Sequence, residues 1–287
     1  MKAELVYDAK AELAEGPIWY ANRLWWVSIL SGQLHCLDVS TGINQTRVLG
    51  DFVGAAAPTQ DGRWLVARRD DIIALDWNSG KSELLCKLDF GPRNLRFNDG
   101  KCDPTGRFYV GTLSLDGEAN AGAFYRVDRD GCVTEVLSRV TISNGLAWSA
   151  DATRLYYIDS PTQRVDLLDV DIPSGNVSNR RPFVEIPSAQ GTPDGMAMDV
   201  DGNLWVALWG GHAVHCYDGR SGMQLHRVEV PAAQVTSCCF GGADLDRLYI
   251  TTAKEGLDQA AIEKHPHSGS LFRCDVGVRG VPPDPFH

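Results

Sequence analysis

Leu24-Trp25-Trp26-Val27, Trp64-Leu65-Val66, Phe108-Tyr109-Val110, Leu155-Tyr156-Tyr157-Ile158, Leu204-Trp205-Val206 and Leu248-Tyr249-Ile250 are six copies of one short aromatic-rich run, whose first residues lie 40, 44, 47, 49 and 44 positions apart. Self-similarity at such a period marks an array of supersecondary units. Turn dipeptides or close relatives precede several copies (Asp61-Gly62, Thr105-Gly106, Asp201-Gly202), as a hairpin between two strands requires. A second run, ending in Asp, follows each first one: Leu34 to Asp38, Ile72 to Asp76, Phe124 to Asp128, Val165 to Asp169, Val214 to Asp218 and Leu271 to Asp275. Another apolar strand precedes each aromatic run, and a more polar one follows the Asp-ending run in the first five copies (Gln45–Leu49, Glu83–Leu88, Val133–Leu137, Arg181–Ile186, Leu225–Val230).

Each unit therefore reads as four antiparallel strands of about 48 residues in all (287/6), which predicts an all-β, six-bladed β-propeller formed as one domain over residues 1–287. The sixth unit lacks a fourth strand, because its tail runs into Val281-Pro282-Pro283-Asp284-Pro285 and proline cannot donate to a sheet ladder. Residues 4–7 (Glu4-Leu5-Val6-Tyr7) are an unassigned strand, expected to complete that blade and close the ring. A long 3.6-residue apolar period is missing; residues 257–264 are the one place for a helical turn or two.

With 27 Lys+Arg against 37 Asp+Glu, the chain carries a net charge of −10, which argues against a nucleic-acid partner. No apolar run approaches the roughly 18 residues of a membrane helix, and Met1-Lys2-Ala3-Glu4 is no signal core. A cytoplasmic protein without membrane attachment or an obligate protein partner is expected. Eight scattered cysteines show no CxxC pair or zinc-like spacing and are expected to be reduced.

In a propeller the first strand of every blade lines the channel, so one register of six strands converges on a point. Aligning the units on Gly gives Glu15-Gly16, Val53-Gly54, Asp99-Gly100, Asn144-Gly145, Asp194-Gly195 and, without Gly, Thr236-Ser237. Four of the six are Glu, Asp or Asn, the oxygen donors a hard divalent cation takes. The plain alternative is that Asx-Gly only turns the chain into each strand. A cation held by two carboxylates and one or two carboxamides keeps open positions, which suits Lewis-acid polarisation of a carbonyl or phosphoryl oxygen while a carboxylate takes a proton from water.

The segments Ala14-Glu15-Gly16-Pro17-Ile18-Trp19, Arg96-Phe97-Asn98-Asp99-Gly100-Lys101, Ile142-Ser143-Asn144-Gly145-Leu146-Ala147-Trp148, Tyr157-Ile158-Asp159-Ser160, Pro193-Asp194-Gly195-Met196 and Ser237-Cys238-Cys239-Phe240-Gly241-Gly242 resemble those of the SMP-30/gluconolactonase/regucalcin-like family from about residue 12 to 280. The resemblance implies a hydrolase acting on carboxylic ester bonds: a lactonase that opens a sugar lactone, such as gluconolactone or a related pentono- or hexonolactone. It implies one divalent cation (Ca, Mg, Mn, Zn or Fe(II)) held by Glu15, Asn144 and Asp194, with Asp194 doubling as catalytic base. Arg96 and Asn98 would bind substrate hydroxyls, and Asp116 or Glu118 would supply an acidic contact from the loop after Gly111-Thr112. Register puts Asp99 on the axis where the family pattern uses Asn98; the pattern is followed, since a regular strand sends only one of two neighbours inward. Ser28 and Ala147 stand where family members carry Asp. Competing readings are a metal-dependent esterase or organophosphate hydrolase, and a calcium-binding propeller without turnover.

Other patterns read as structural. Gly80-Lys81-Ser82 lacks the upstream Gly of a phosphate loop. Asp199-Val200-Asp201-Gly202 lacks the Glu of a calcium loop and reads as a hairpin turn. His212, His215, His265 and His267 read as rim, core or loop residues, and Trp19, Trp148 and Trp209 as packing between blades.

Overall fold

A computed structural model describes all 287 residues. The chain is all-β apart from two single 3-10 turns and one short helix, α1 (Gln259–Lys264), whose N-terminus is capped by the Asp258 carboxylate accepting from Ala261 N–H (2.8 Å); no helix is long and apolar enough to cross a membrane. After β1 (Glu4–Tyr7), four-stranded antiparallel sheets follow in chain order. They are β2 (Ala14–Tyr20), β3 (Arg23–Ser28), β4 (Gln33–Asp38), β5 (Ile43–Val48); β6 (Ala55–Pro58), β7 (Trp64–Ala67), β8 (Asp71–Leu75), β9 (Ser82–Lys87); β10 (Leu95–Cys102), β11 (Phe108–Ser114), β12 (Gly122–Val127), β13 (Val133–Val140); and β14 (Ser143–Trp148), β15 (Arg154–Asp159), β16 (Arg164–Asp171), β17 (Asn176–Glu185). Next come β18 (Thr192–Met198), β19 (Leu204–Trp209), β20 (Ala213–Tyr217) and β21 (Gln224–Glu229), then β22 (Gln234–Gly241), β23 (Arg247–Ala253) and β24 (Leu271–Asp275). One residue pair, Trp209 with Gln234, links these last two groups into a single eight-stranded sheet, and β1 pairs antiparallel with β24 as its outermost strand.

The aromatic runs form the second strand of each set, where Trp26, Tyr109, Tyr157, Trp205 and Tyr249 are essentially fully buried. Burying one such side chain stabilises by roughly 1.5–3 kcal/mol. Six apolar clusters gather these residues: five draw mainly on two sets that follow one another in the chain, and the sixth joins β23 and β24 to β2, β3 and β4. The Asp that closes several third strands acts locally, since Asp38, Asp76 and Asp218 accept backbone N–H groups of the turns that follow, which stops the strand. Asp199 likewise accepts from Asp201 and Asn203 N–H and from Trp205 Nε1, so its segment is the hairpin turn expected of it. All eight cysteines are free.

The first strands carry the feature that matters for a site. In β2, β10, β14, β18 and β22 the pairing register slips beside the Asx-Gly or equivalent position, between Glu15 and Ile18, Phe97 and Gly100, Asn144 and Leu146, Pro193 and Met196, and Val235 and Ser237. The extra residue of a β-bulge bends the strand and re-aims a side chain. Glu15-Gly16, Asp99-Gly100, Asn144-Gly145 and Asp194-Gly195 thus lie at a bulge inside the strand and not at a turn into it. At Gly145, a Cβ would stand 2.7 Å from the Asp194 carbonyl oxygen, so neighbouring first strands approach through glycine. These strands touch in the order β2, β6, β10, β14, β18, β22 and back to β2.

Candidate functional site

Five of the expected residues meet on the first strands: Glu15 on β2, Arg96 and Asn98 on β10, Asn144 on β14 and Asp194 on β18, each only 5–7 % exposed. The Arg96 guanidinium donates to Asn98 Oδ1 (2.7 Å) and to Phe97 O (2.9 Å). Asn98 Nδ2 in turn donates to Asn144 Oδ1 (3.1 Å) and to Ser143 O (2.8 Å). Asn144 Nδ2 donates to Ser160 Oγ (2.9 Å), whose hydroxyl donates to Pro193 O beside Asp194 (2.7 Å). This chain fixes both carboxamides and leaves Asn144 Oδ1 a free lone pair. Both amide hydrogens of Asn98 are spent inside the protein, whereas Arg96 Nε is buried without a partner.

Three carboxylates share the same low-dielectric space. Burial, then the Asp99 charge, pushes Glu15 up to about 8, although Gly16 N–H donates to its Oε2 at 2.6 Å. Burial and the charges of Glu15, Asp99 and Glu255 push Asp194 well above the carboxylate range. Burial also raises Asp99, opposed chiefly by Lys101. Desolvation draws Arg96 down to about 10, countered by Glu255, Glu15 and Asp194, so it stays cationic at neutral pH. The Asp99 charge thus disfavours ionisation of Glu15, and the charges of Glu15 and Asp99 disfavour that of Asp194, a crowding that a divalent cation would relieve. No three His, Cys, Asp or Glu side chains are grouped as a metal-holding set; the expected donors include only two, Glu15 and Asp194, with the Asn144 carboxamide as third. As an oxygen-only set, they fit a hard cation.

Two expected residues stand apart. Asp116 and Glu118 are exposed on the loop after β11. Asp116 Oδ1 accepts from Asn94 Nδ2 (2.9 Å), and Asn94 Oδ1 accepts from Arg69 (2.7 Å). Arg69 and Arg96 both lie over the Phe52 ring, 5.9 and 6.0 Å from its centroid, so this rim connects to the buried cluster. No hydrogen bond or ion pair holds Glu118.

Three participants have no assignment from sequence. The rule that a strand sends one of two neighbours inward favours Asn98 over Asp99; the bulge between Phe97 and Gly100 suspends that rule, and both reach the cluster. Glu255 arrives from the loop after β23, where its N–H and that of Lys254 donate to Glu12 O (3.0 and 2.9 Å). Its carboxylate is half-buried, and both Arg96 and Asp194 feel its charge. Ser160 is placed by the 3-10 turn after β15. The register argument was the signal for Asp99, and Ser160 stands in one of the family-like segments without a role attached; Glu255 meets the cluster only through contacts distant in sequence.

Beyond the cluster, toward the C-terminal ends of the first strands, the axis opens into a cavity of about 370 Å³. Asp99 and Lys101 line it among mostly apolar neighbours that include Ile18, Trp19, Met196 and Phe240. Residues 281–284 cross its far end, anchored by Phe286 N–H to Pro58 O (2.8 Å) and His287 N–H to Gly106 O (3.1 Å). Trp19 stacks on Tyr249 at 5.3 Å and Trp148 packs on Tyr109 at 5.2 Å. His215 is buried against the Tyr217 hydroxyl (3.1 Å), and His212 packs on His265. None of these histidines touches the carboxylate cluster.

The sequence model of the family described as SMP-30/Gluconolactonase/LRE-like region matches residues 13–254. A Bacillus subtilis (strain 168) protein with the provisional name sugar lactone lactonase YvrE is 38% identical over 288 residues, covering 100% of this chain and 99% of its own. Regucalcin of Danio rerio is 37% identical, covering 99% and 97%. Among solved structures, a calcium-binding protein, regucalcin, from Agrobacterium tumefaciens str. C58 superimposes with a TM-score of 0.94 at 30% identity, over 100% of this chain and 97% of that one.

Proposed function

The chain belongs to the SMP-30/gluconolactonase/LRE-like family, and from that premise we propose that it hydrolyses a sugar lactone at a divalent cation held by Glu15, Asn144 and Asp194. The fold proposed with it is a six-bladed propeller, one domain over residues 1–287, closed by the N-terminal strand. Supporting the ring are the cyclic contacts of the six first strands and the β1–β24 pairing. The observation that carries the function is the hydrogen-bonded series Arg96, Asn98, Asn144, Ser160 laid against the buried carboxylates Glu15 and Asp194.

When bound, the cation would supply Lewis-acid polarisation of the lactone carbonyl. Asp194 accepts a proton from water as the water oxygen bonds to the carbonyl carbon. The ring C–O bond then breaks, and the departing oxygen takes that proton, leaving an open hydroxy acid. Asn98 holds Arg96 and Asn144 in place, and Nη2 of Arg96, which has no partner in the protein while Nη1 makes both of its hydrogen bonds, is the donor left for a substrate oxygen. Of the two loop acids, Asp116 is assigned the ring-hydroxyl contact, because Asn94 and Arg69 pre-orient it and an ordered group loses less entropy on binding. An aldonolactone is the substrate class proposed.

The test is acid release from a panel of aldonolactones, with a phosphotriester in parallel, after chelation and readdition of single metals. Lactone turnover lost on chelation and restored by one or more cations is expected. Faster phosphotriester cleavage would replace the reading with an organophosphate hydrolase; cation binding without acid release would make the protein a binding propeller.

A further inference from the structure

The inner edge of a first strand has no ladder partner, yet its carbonyls are buried and need donors. On β14 and β18 two of them find one in the same group. Lys101 Nζ reaches from β10 to donate to Leu146 O (2.8 Å) and Met196 O (2.9 Å). Leu146 and Met196 each lie two residues beyond an expected metal donor, Asn144 and Asp194, and each closes the bulge that re-aims that donor. Asp99 and Cys238 also feel the ammonium charge. A single side chain thus spans the strands that carry Arg96 and Asn98, Asn144, and Asp194. An ammonium suits the position because it is a compact charge with three donors on a flexible stem.

We infer that Lys101 is a positioning residue: its ammonium, hydrogen-bonded to the carbonyls of Leu146 and Met196, locks the bulges of β14 and β18 and so sets where Asn144 and Asp194 present their oxygens. This rests on the metal site proposed above. Groups that orient metal donors from behind typically cost 10–100-fold in metal affinity when removed, and that is the loss expected here.

The experiment titrates metal-free protein with Mn²⁺ by calorimetry and follows amide hydrogen exchange in residues 143–148 and 192–198. K101M keeps the chain length and removes the charge; it is expected to bind Mn²⁺ about 10–100-fold more weakly and to exchange faster in both strands. K101A opens space beside the axial cavity, into which propylammonium fits; it should restore affinity where 1-propanol does not. Folded K101M with wild-type affinity and exchange overturns the inference, as does equal rescue by the alcohol, which would mean space-filling alone. If K101M does not fold, K101A refolded with either additive gives the same comparison, and equal recovery again overturns it. Wild-type protein that binds no Mn²⁺ removes the metal site instead, and the exchange data then decide alone whether Lys101 fixes the two strands.

Discussion

Two first strands of the same molecule, β6 and β18, show what makes a site. Strand β6 is Ala55-Ala56-Ala57-Pro58; it pairs with β7 in unbroken register and contributes only apolar groups. Strand β18 is interrupted by a bulge between Pro193 and Met196 and buries Asp194 at that interruption. Both occupy the same place in the repeat, and both are buried. A regular strand alternates its faces and packs, whereas a bulged one can turn a polar side chain out of that alternation toward the axis. The buried polar groups of the inner register therefore lie at the bulges, and β6 is the one first strand that lacks a bulge.

The sharpest way to break this contrast is at Asp194. Asp194→Asn keeps the shape of the bulge and removes the base, so lactone turnover should fall about 10²–10⁴-fold with a smaller change in metal affinity by calorimetry. An equal loss of both would reduce Asp194 to a ligand. Next is Asn98→Ala, which strips partners from Arg96 and Asn144; leaving buried groups unpaired costs about 1–3 kcal/mol, read as a fall in kcat/KM with little change in fold by circular dichroism. Gly145→Ala places a methyl 2.7 Å from the Asp194 carbonyl and from Ile158 Cδ1. Overpacking of that kind should cost about 1–3 kcal/mol of stability, seen as a lowered Tm, with metal affinity lost alongside.

Away from the axis, burial keeps the His35 and His215 imidazoles neutral. His35 on β4, stacked on Trp26 at 3.7 Å, is drawn down by burial to about 4 from its ordinary 6.5. The unfolded chain then binds more protons than the fold between those values, so stability is intact above pH 6.5 and lost as pH falls toward 4. About 1–2 kcal/mol should disappear between pH 6.5 and 5, and the Tm–pH slope should flatten in His35→Gln. The smallest effect separates the loop acids: Asp116→Asn should raise KM a few-fold for hydroxylated lactones, about 0.5–1 kcal/mol, while Glu118→Gln leaves it unchanged. The reverse order would return the contact to Glu118.

Much of this was legible before any coordinates. The aromatic runs located all six second strands, and the Asp-ending runs located the third strands, because burial on alternating faces and Asx turns are local demands. Asp258 at the cap and the helix over 259–264 fall inside the stretch read as the one helical turn. Prolines 282 and 283 stay out of the sheet, and β1 pairs with β24. What the structure corrects is the alternative that Asx-Gly only turns the chain into each strand: the pairs lie at breaks in the ladder inside the strands, with glycine at the strand-to-strand contact. The break in β10, unseen in the sequence, is why Asn98 and Asp99 were treated as exclusive. Glu255 left no trace, and neither the contact of Ser160 with Asn144 nor the place of the tail beside the axial cavity was foreseen, since each is set by pairing with residues tens or hundreds of positions away.

The amino-acid sequence alone determined the repeat, the order of strands in each unit, and which residue types stand at the inner register. Those follow from short-range periodicity, which any segment expresses by itself. Tertiary structure alone decided that Asn98 ties Arg96 to Asn144, that Glu15, Asp99 and Asp194 crowd one another, and that Lys101 reaches two neighbouring strands. Distances between groups some 45 residues or more apart depend on how sheets pack side by side and how far each bulge bends its strand, and no local pattern encodes either.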